Sequence, residues 1–136
     1  YDAVLEAIAG IDAASGRRAL VLLSDGVERY SDASGASMIA EARRRNVLVY
    51  PVILGSTASA DLRDVARVTG GRFVSVQNGE RLTAELESIA AELRAQYLIG
   101  YSSKAAPPAV PTWRSIRVSV NRTGAVIRAR EGYLAR

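Results

Sequence analysis

Ala19-Leu20-Val21-Leu22-Leu23-Ser24-Asp25-Gly26 is the stretch on which the fold turns. Five apolar residues in a row, entered from Arg17-Arg18 and left through Ser-Asp-Gly, have the length of a strand. The absence of polar alternation predicts burial on both faces, as in a parallel sheet. Upstream, residues 2–14 set Val4, Leu5, Ile8 and Ile11 on one helical face, with Ser15-Gly16 as the stop. Downstream, residues 27–34 read as a polar loop. Residues 35–45 read as a helix with Met38, Ile39 and Ala42 inward. Arg43-Arg44-Arg45 then sit at the negative end of its dipole, and Asn46 serves as its C-terminal cap. Val47 to Leu54 is a second apolar run. Pro51 inside it cannot donate to a ladder, which predicts a bulge or an incompletely paired flank. A helix over 61–68 closed by Gly70-Gly71, a strand over 73–76 and a helix from Glu80 complete the series. The last helix carries Leu82, Leu86, Ile89, Ala90, Leu93 and Tyr97 at helical spacing. Strict alternation of helix and strand over 1–96 predicts an α/β fold: an open parallel, Rossmann-like sheet with flanking helices.

After residue 96 the pattern changes. Tyr97-Leu98-Ile99-Gly100-Tyr101 reads as a strand, and residues 104–111 hold three of the four prolines and read as a loop. Residues 115–120 and 126–130 alternate apolar and polar around Asn121-Arg122-Thr123-Gly124. That predicts an antiparallel hairpin, or a three-stranded appendage with Tyr97–Tyr101. Charge divides the chain at the same place. Residues 1–96 carry 11 basic and 13 acidic side chains, whereas residues 97–136 carry 7 basic ones and a single acid, Glu131. The organisation is therefore read as an α/β unit over 1–96 and a basic β extension over 97–136.

The composition narrows the chemistry. With no Cys and no His among 136 residues, disulfides, thiol nucleophiles, the usual zinc ligands and a Ser-His-Asp triad are excluded. No apolar run approaches the length of a membrane span. No Gly-rich phosphate loop or dinucleotide fingerprint occurs, and the one lysine, Lys104, lies in the proline-rich loop. An Asp-dependent phosphoryl-transfer enzyme would need further acids and a lysine near the same sheet end, so an enzyme is not expected.

Ligands of open α/β sheets bind beyond the carboxyl ends of the strands. Those ends are Ser24-Asp25-Gly26, Gly55-Ser56-Thr57 and Gln77-Asn78-Gly79, and Asp25 is the one acid directly at such an end. Its carboxylate could hold a hard divalent cation. The plainer reading is a Ser-Asp-Gly turn. The run Leu22 to Gly26 resembles the fourth strand and third metal loop of von Willebrand factor A (VWA) domains. Tyr1-Asp2-Ala3-Val4-Leu5 resembles the helix after their second metal loop. Residues 46–50 and 61–73 resemble their next strand, helix and strand. The tail, with Tyr97–Tyr101, Trp113–Val118 and Arg128–Tyr133, is similar to the ending of bacterial VWFA-related domains.

The resemblance implies a protein-binding module corresponding to the C-terminal half of a VWA domain, the chain opening without a Met directly in a helical pattern. It implies Mg2+ or another divalent cation in an intact domain, at a metal-ion-dependent adhesion site. That site draws on an Asp-x-Ser-x-Ser motif, a Thr and the Asp of the third loop. The last position alone is present here, as Asp25, so no metal is expected for this chain by itself. Ser24 and Gly26 would shape the loop, and Glu28 and Tyr30 would join the ligand-binding rim. The resemblance also implies an extracytoplasmic setting, in the periplasm, secreted or on the cell surface.

Two alternatives compete. One is a metal-free scaffold. The other is an anionic-ligand surface over Arg117, Arg128 and Arg130; nucleic acid is not expected, since no aromatic stacking pattern accompanies these arginines. The Asn121-Arg122-Thr123 sequon lies where a turn needs Asn and Thr in any case. In VWA sheets a further strand lies beside the one at 19–24. Without it, an apolar edge is expected to be open to oligomerisation or aggregation.

Overall fold

The computed structural model describes residues 1–11, 16–56 and 59–135. The chain is α/β. It forms a three-stranded parallel sheet flanked by helices and a separate two-stranded antiparallel sheet. In chain order the elements are α1 (Asp2–Gly10), β1 (Ala19–Ser24), α2 (Gly35–Arg45), β2 (Leu48–Leu54), α3 (Ala60–Thr69), β3 (Val74–Val76), α4 (Gly79–Arg94), β4 (Thr112–Ser115) and β5 (Gly132–Ala135). The expected helix over 2–14 is seen to Gly10, and its predicted stretch at 12–15 lies outside the described residues.

Helices α2, α3 and α4 each start where a short polar side chain accepts from an otherwise unpartnered amide. Ser34 caps α2, with Ser37 returning the bond in a capping box. Ser59 caps α3 and Asn78 caps α4. Asn46 ends α2 in the left-handed conformation, as expected, and Gly70 ends α3 the same way.

The sheet order is β1-β2-β3, with β2 central. On one face α1, α2 and α3 bury Val4, Ile8, Met38, Ala42, Leu62 and Val65 against Val47, Val49 and Ile53, with Leu20 and Leu22 packed alongside. On the other face α4 covers β2 and β3, joining Ile89, Leu82, Leu86 and Leu93 to Tyr50, Val52, Val74 and Val76. The two faces of β2 are thus both dry. Those of β1 are not: Val21 is 38% and Leu23 47% exposed. This corrects the expectation of a doubly buried β1. The unbroken apolar run does not report burial here, because α4 lies over β2 and β3 and leaves the outer half of β1 open.

Pro51 is accommodated by direction. The Leu48 amide donates to the Arg18 carbonyl, 3.0 Å away on the β1 side. The Val49 amide donates to the Thr69 hydroxyl, 3.1 Å away on the opposite side. By alternation the Pro51 nitrogen faces that second side, one residue before β3 begins pairing at Val52↔Val74. No ladder bond is lost, and the incompletely paired flank predicted from the proline is the one seen.

The tail departs most from expectation. Residues 97–101 are not a strand, and neither are 116–120 or 126–130. The antiparallel pairing runs from Thr112↔Ala135 to Ser115↔Gly132. Beyond the ladder the Ile116 amide donates to the Glu131 carbonyl at 2.7 Å, and a turn closes between Arg122 and Ala125. The ladder forms where there is a surface beneath it. Arg43 of α2 stacks 5.0 Å from the Trp113 ring centroid. Glu131 accepts from Arg43 at 3.3 Å and also pairs with Arg67 of α3. Arg130 donates to the Asn46 side chain. Farther out, Val118, Val120, Val126 and Ile127 are exposed on both arms and no core holds them. The single acid of the basic extension is thus the one that ties it to two helices. Glu131→Ala leaves Arg43 and Arg67 without their shared carboxylate. It is expected to speed proteolysis within 112–135 with little change in far-UV circular dichroism, as judged by mapping the first cleavage sites of both proteins.

Candidate functional site

The carboxyl end of β1 opens into a loop from Asp25 to Ser34 that is held by carboxylates rather than by apolar packing. The Ser24 hydroxyl accepts from the Gly26 amide at 3.0 Å, and Asp25 Oδ1 accepts from the Val27 amide at 3.0 Å. Gly26 has φ +79, a conformation that favours glycine. Glu28 then folds back onto its own loop. Its Oε1 accepts from the Tyr30 and Ser31 amides at 3.1 and 2.9 Å, and its Oε2 accepts from the Ser31 hydroxyl at 2.9 Å. Across from it, Asp2 at the start of α1 accepts from the Asp32 and Ala33 amides at 2.9 and 3.0 Å. The Tyr1 nitrogen donates to Glu28 and to Ser31. Together, Glu28 and Asp2 supply acceptors to four loop amides, so the loop has a fixed shape despite its polarity.

These bonds also set protonation. The Tyr1 amino group, then the Ser31 backbone and hydroxyl, hold the Glu28 carboxyl down at about 2. The Tyr1 hydroxyl donates to Asp61 Oδ2 at 2.5 Å, and that bond, with some burial, pushes it up to about 12. Asp61 lies under the loop, in the first turn of α3. Gly35 passes so close to it that any β-carbon at 35 would collide with its carboxylate.

Of the residues singled out from the sequence, Ser24, Asp25 and Gly26 share one turn. Asp25 is exposed with one oxygen uncommitted to the turn, and Tyr30 is 92% exposed at the loop's crest. Glu28 lies in the same loop, exposed, with its carboxylate folded back onto the loop's own amides as a shaping group. Sequence reasoning missed Asp2, Ser31 and Asp61, which lie far apart in the chain and have no shared motif. Gly35 straight after a Ser cap was the available signal of a close approach. Of the other two sheet ends, Thr57 lies outside the described residues, and Asn78 is spent capping α4.

Among the described residues, no group of three or more acidic, His or Cys side chains is arranged to hold a metal ion. Asp25 alone does not fit Mg2+, which requires several fixed oxygens. The basic tail is also less available than its charge implies. Arg128 pairs with Glu92 at 3.4 Å, Arg130 bonds Asn46 and the Gly132 carbonyl, and Arg114 bonds Ser103 and the Ala106 carbonyl. Arg114 also lines an open groove of about 330 Å3 with Pro107, Pro108 and Tyr133. No described helix is long and apolar enough to cross a membrane.

No protein-family description matches the chain, and no characterised relative matches it in sequence. In fold it is similar to an uncharacterized membrane spanning protein from Vibrio fischeri of known crystal structure, with a TM-score of 0.51 and 21% identity. The match covers 57% of this chain and 48% of that one, so the chain spans about half the length of that relative. The likeness is one of fold.

Proposed function

We propose that this chain is a protein-binding module of VWA type that presents the loop from Asp25 to Ser34 to its partner. The supporting observation is the loop's construction. Four of its amides are bound by Glu28 and Asp2, while Tyr30 and Asp25 are left facing solvent. An exposed aromatic on a loop of fixed shape loses little conformational freedom on binding, which is the property of an interface anchor. Val27, 42% exposed, adds apolar area beside it. An enzyme is not proposed.

In this reading metal assistance belongs to an intact domain that contributes further oxygens. The chain alone should show no saturable Mg2+ binding, and millimolar MgCl2 should leave its unfolding midpoint unchanged, because a ligand that binds the native state must raise it. An extracytoplasmic setting is part of the same proposal.

The test is a random peptide-display library panned on the immobilised chain. Enriched peptides are expected to lose at least tenfold in affinity, about 1.4 kcal/mol, for Tyr30→Ala and for Asp25→Ala. Glu28→Gln should weaken binding through the loop's shape, with slowed association. Peptides that bind all three variants as well as the native chain would move the site elsewhere.

A further inference from the structure

The two-stranded sheet of the tail turns its two faces to different surroundings. Trp113 points to α2, where Arg43 stacks on its ring. Arg114 and Tyr133 stand directly opposite each other in the ladder and share the other face. The chain that leads into β4 is tied down over that face. The Arg114 guanidinium donates to the Ser103 hydroxyl at 3.0 Å and to the Ala106 carbonyl at 2.7 Å. Ser103 also accepts from the Ala105 amide at 3.3 Å. Between this loop and the strands lies the groove of about 330 Å3, lined by the apolar Pro107, Pro108 and Leu134 and by the polar Ser103, Arg114 and Tyr133.

A guanidinium has five N–H donors, so the two bonds that fix Arg114 leave donors over. Among the described residues no carboxylate pairs with it. The one acid of the tail, Glu131, is committed to Arg43 and Arg67. The same spot favours an anionic oxygen. Tyr101 meets Tyr133 edge-on, with ring centroids 6.2 Å apart. Tyr101, then Arg114, hold the Tyr133 hydroxyl below the usual tyrosine value. Donors and positive charge therefore converge on the polar side of the groove.

The volume is at the lower end of the about 300–1,000 Å3 usual for small-molecule sites. One fixed cationic fork matches one planar carboxylate. A phosphate would bring a second charge, and Arg114 is the one charged residue lining the groove. We propose that this groove binds a monocarboxylate carried on an apolar body, with Arg114 taking the carboxylate and Pro107, Pro108 and Leu134 covering the body. It lies on a different part of the chain from the loop at Asp25, and its failure would leave the proposal for that loop untouched.

The probe is phenylpropionate, titrated into the full chain and followed by nuclear magnetic resonance. Saturable binding on the order of millimolar is expected for a ligand of this size. Phenylpropionamide keeps the body and loses the charge, and inorganic phosphate keeps the charge and loses the body. Each should bind at least about tenfold more weakly. Arg114→Gln should weaken phenylpropionate binding by at least about tenfold as well. Because Arg114 also holds the loop, a second variant is needed that spares its bonds. Ala105 is exposed and lines the groove. Ala105→Glu brings a competing carboxylate to Arg114 and should abolish binding with a native circular dichroism spectrum. N-acetylphenylalanine carries the carboxylate as the end of a peptide does. Tighter binding than phenylpropionate assigns the site to a chain end, and weaker binding assigns it to a free acid. A titration that does not saturate, equal binding of the amide or of phosphate, or native affinity in Ala105→Glu overturns the proposal.

Discussion

Gly71→Ala is expected to destabilise the protein severely, by at least the upper end of the about 1–3 kcal/mol typical of overpacking. Gly70 and Gly71 carry the chain from the end of α3 across β2 before β3 begins. A β-carbon at 71 would lie 2.8 Å from the Val49 carbonyl carbon and closer still to its oxygen. The obstacle is backbone in the central strand, which cannot rotate aside. Separation would strain the Val49–Thr69 bond next to it and the Gly71–Ala66 bond that ends α3. Against a typical domain stability of about 5–15 kcal/mol, the loss is large. Chemical unfolding followed by circular dichroism measures it. Gly79→Ala is the matched control: nothing lies within 4 Å of its β-carbon, and it opens α4. It should be neutral or stabilising by up to about 1 kcal/mol.

Tyr50→Ala is expected to cost about 3–5 kcal/mol, the range for removing a buried aromatic ring. Tyr50 is fully buried in the central strand, beneath α4. Its hydroxyl donates to Glu92 at 3.2 Å and accepts from Gln96 at 3.3 Å, so one side chain fills the core and ties down the end of α4. Tyr50→Phe separates the two contributions and should cost only about 1 kcal/mol. The ring also makes the fold sensitive to alkali. Burial, then the Glu92 carboxylate, pushes its hydroxyl from 10.0 to about 12. A raised folded-state value favours the neutral form in the fold. Its contribution is therefore intact below pH 10 and lost as the pH rises from 10 towards 12. Tyr50→Phe should flatten the fall in stability across that window; an unchanged slope would mean that other tyrosines cause it.

The parts of this fold legible in the sequence were those fixed by neighbours close in the chain. Asn46 and Gly70 could be read as helix ends because a left-handed residue is a local requirement. Pro51 was legible because its missing amide restricts it to an unpaired direction. The exposure of Val21 and Leu23 was not legible, since it depends on where α4, some 60 residues later, crosses the sheet. The antiparallel pairing was expected over 115–120 and 126–130 and lies over 112–115 and 132–135 instead. Alternation indicates which residues can pair, whereas Arg43, Trp113 and Glu131 determine where the pairing is supported. At the candidate site Asp25 stood out by its position after β1. Asp2 did not, and Glu28 was read as a rim residue rather than as one that shapes the loop, because an acid that binds loop amides looks, in sequence, like any solvated acid.

The tail's anchorage has a practical corollary. β5 and Glu131 rest on the ends of α2 and α3, at Arg43, Asn46 and Arg67, and these lie below the amino ends of the strands. The loop at Asp25 rises from the opposite end. A chain attached to a bead, a sensor chip or a fusion partner near residue 135 would therefore hold Tyr30 pointing away from the support, whereas attachment at residue 1 would place the support against the loop itself.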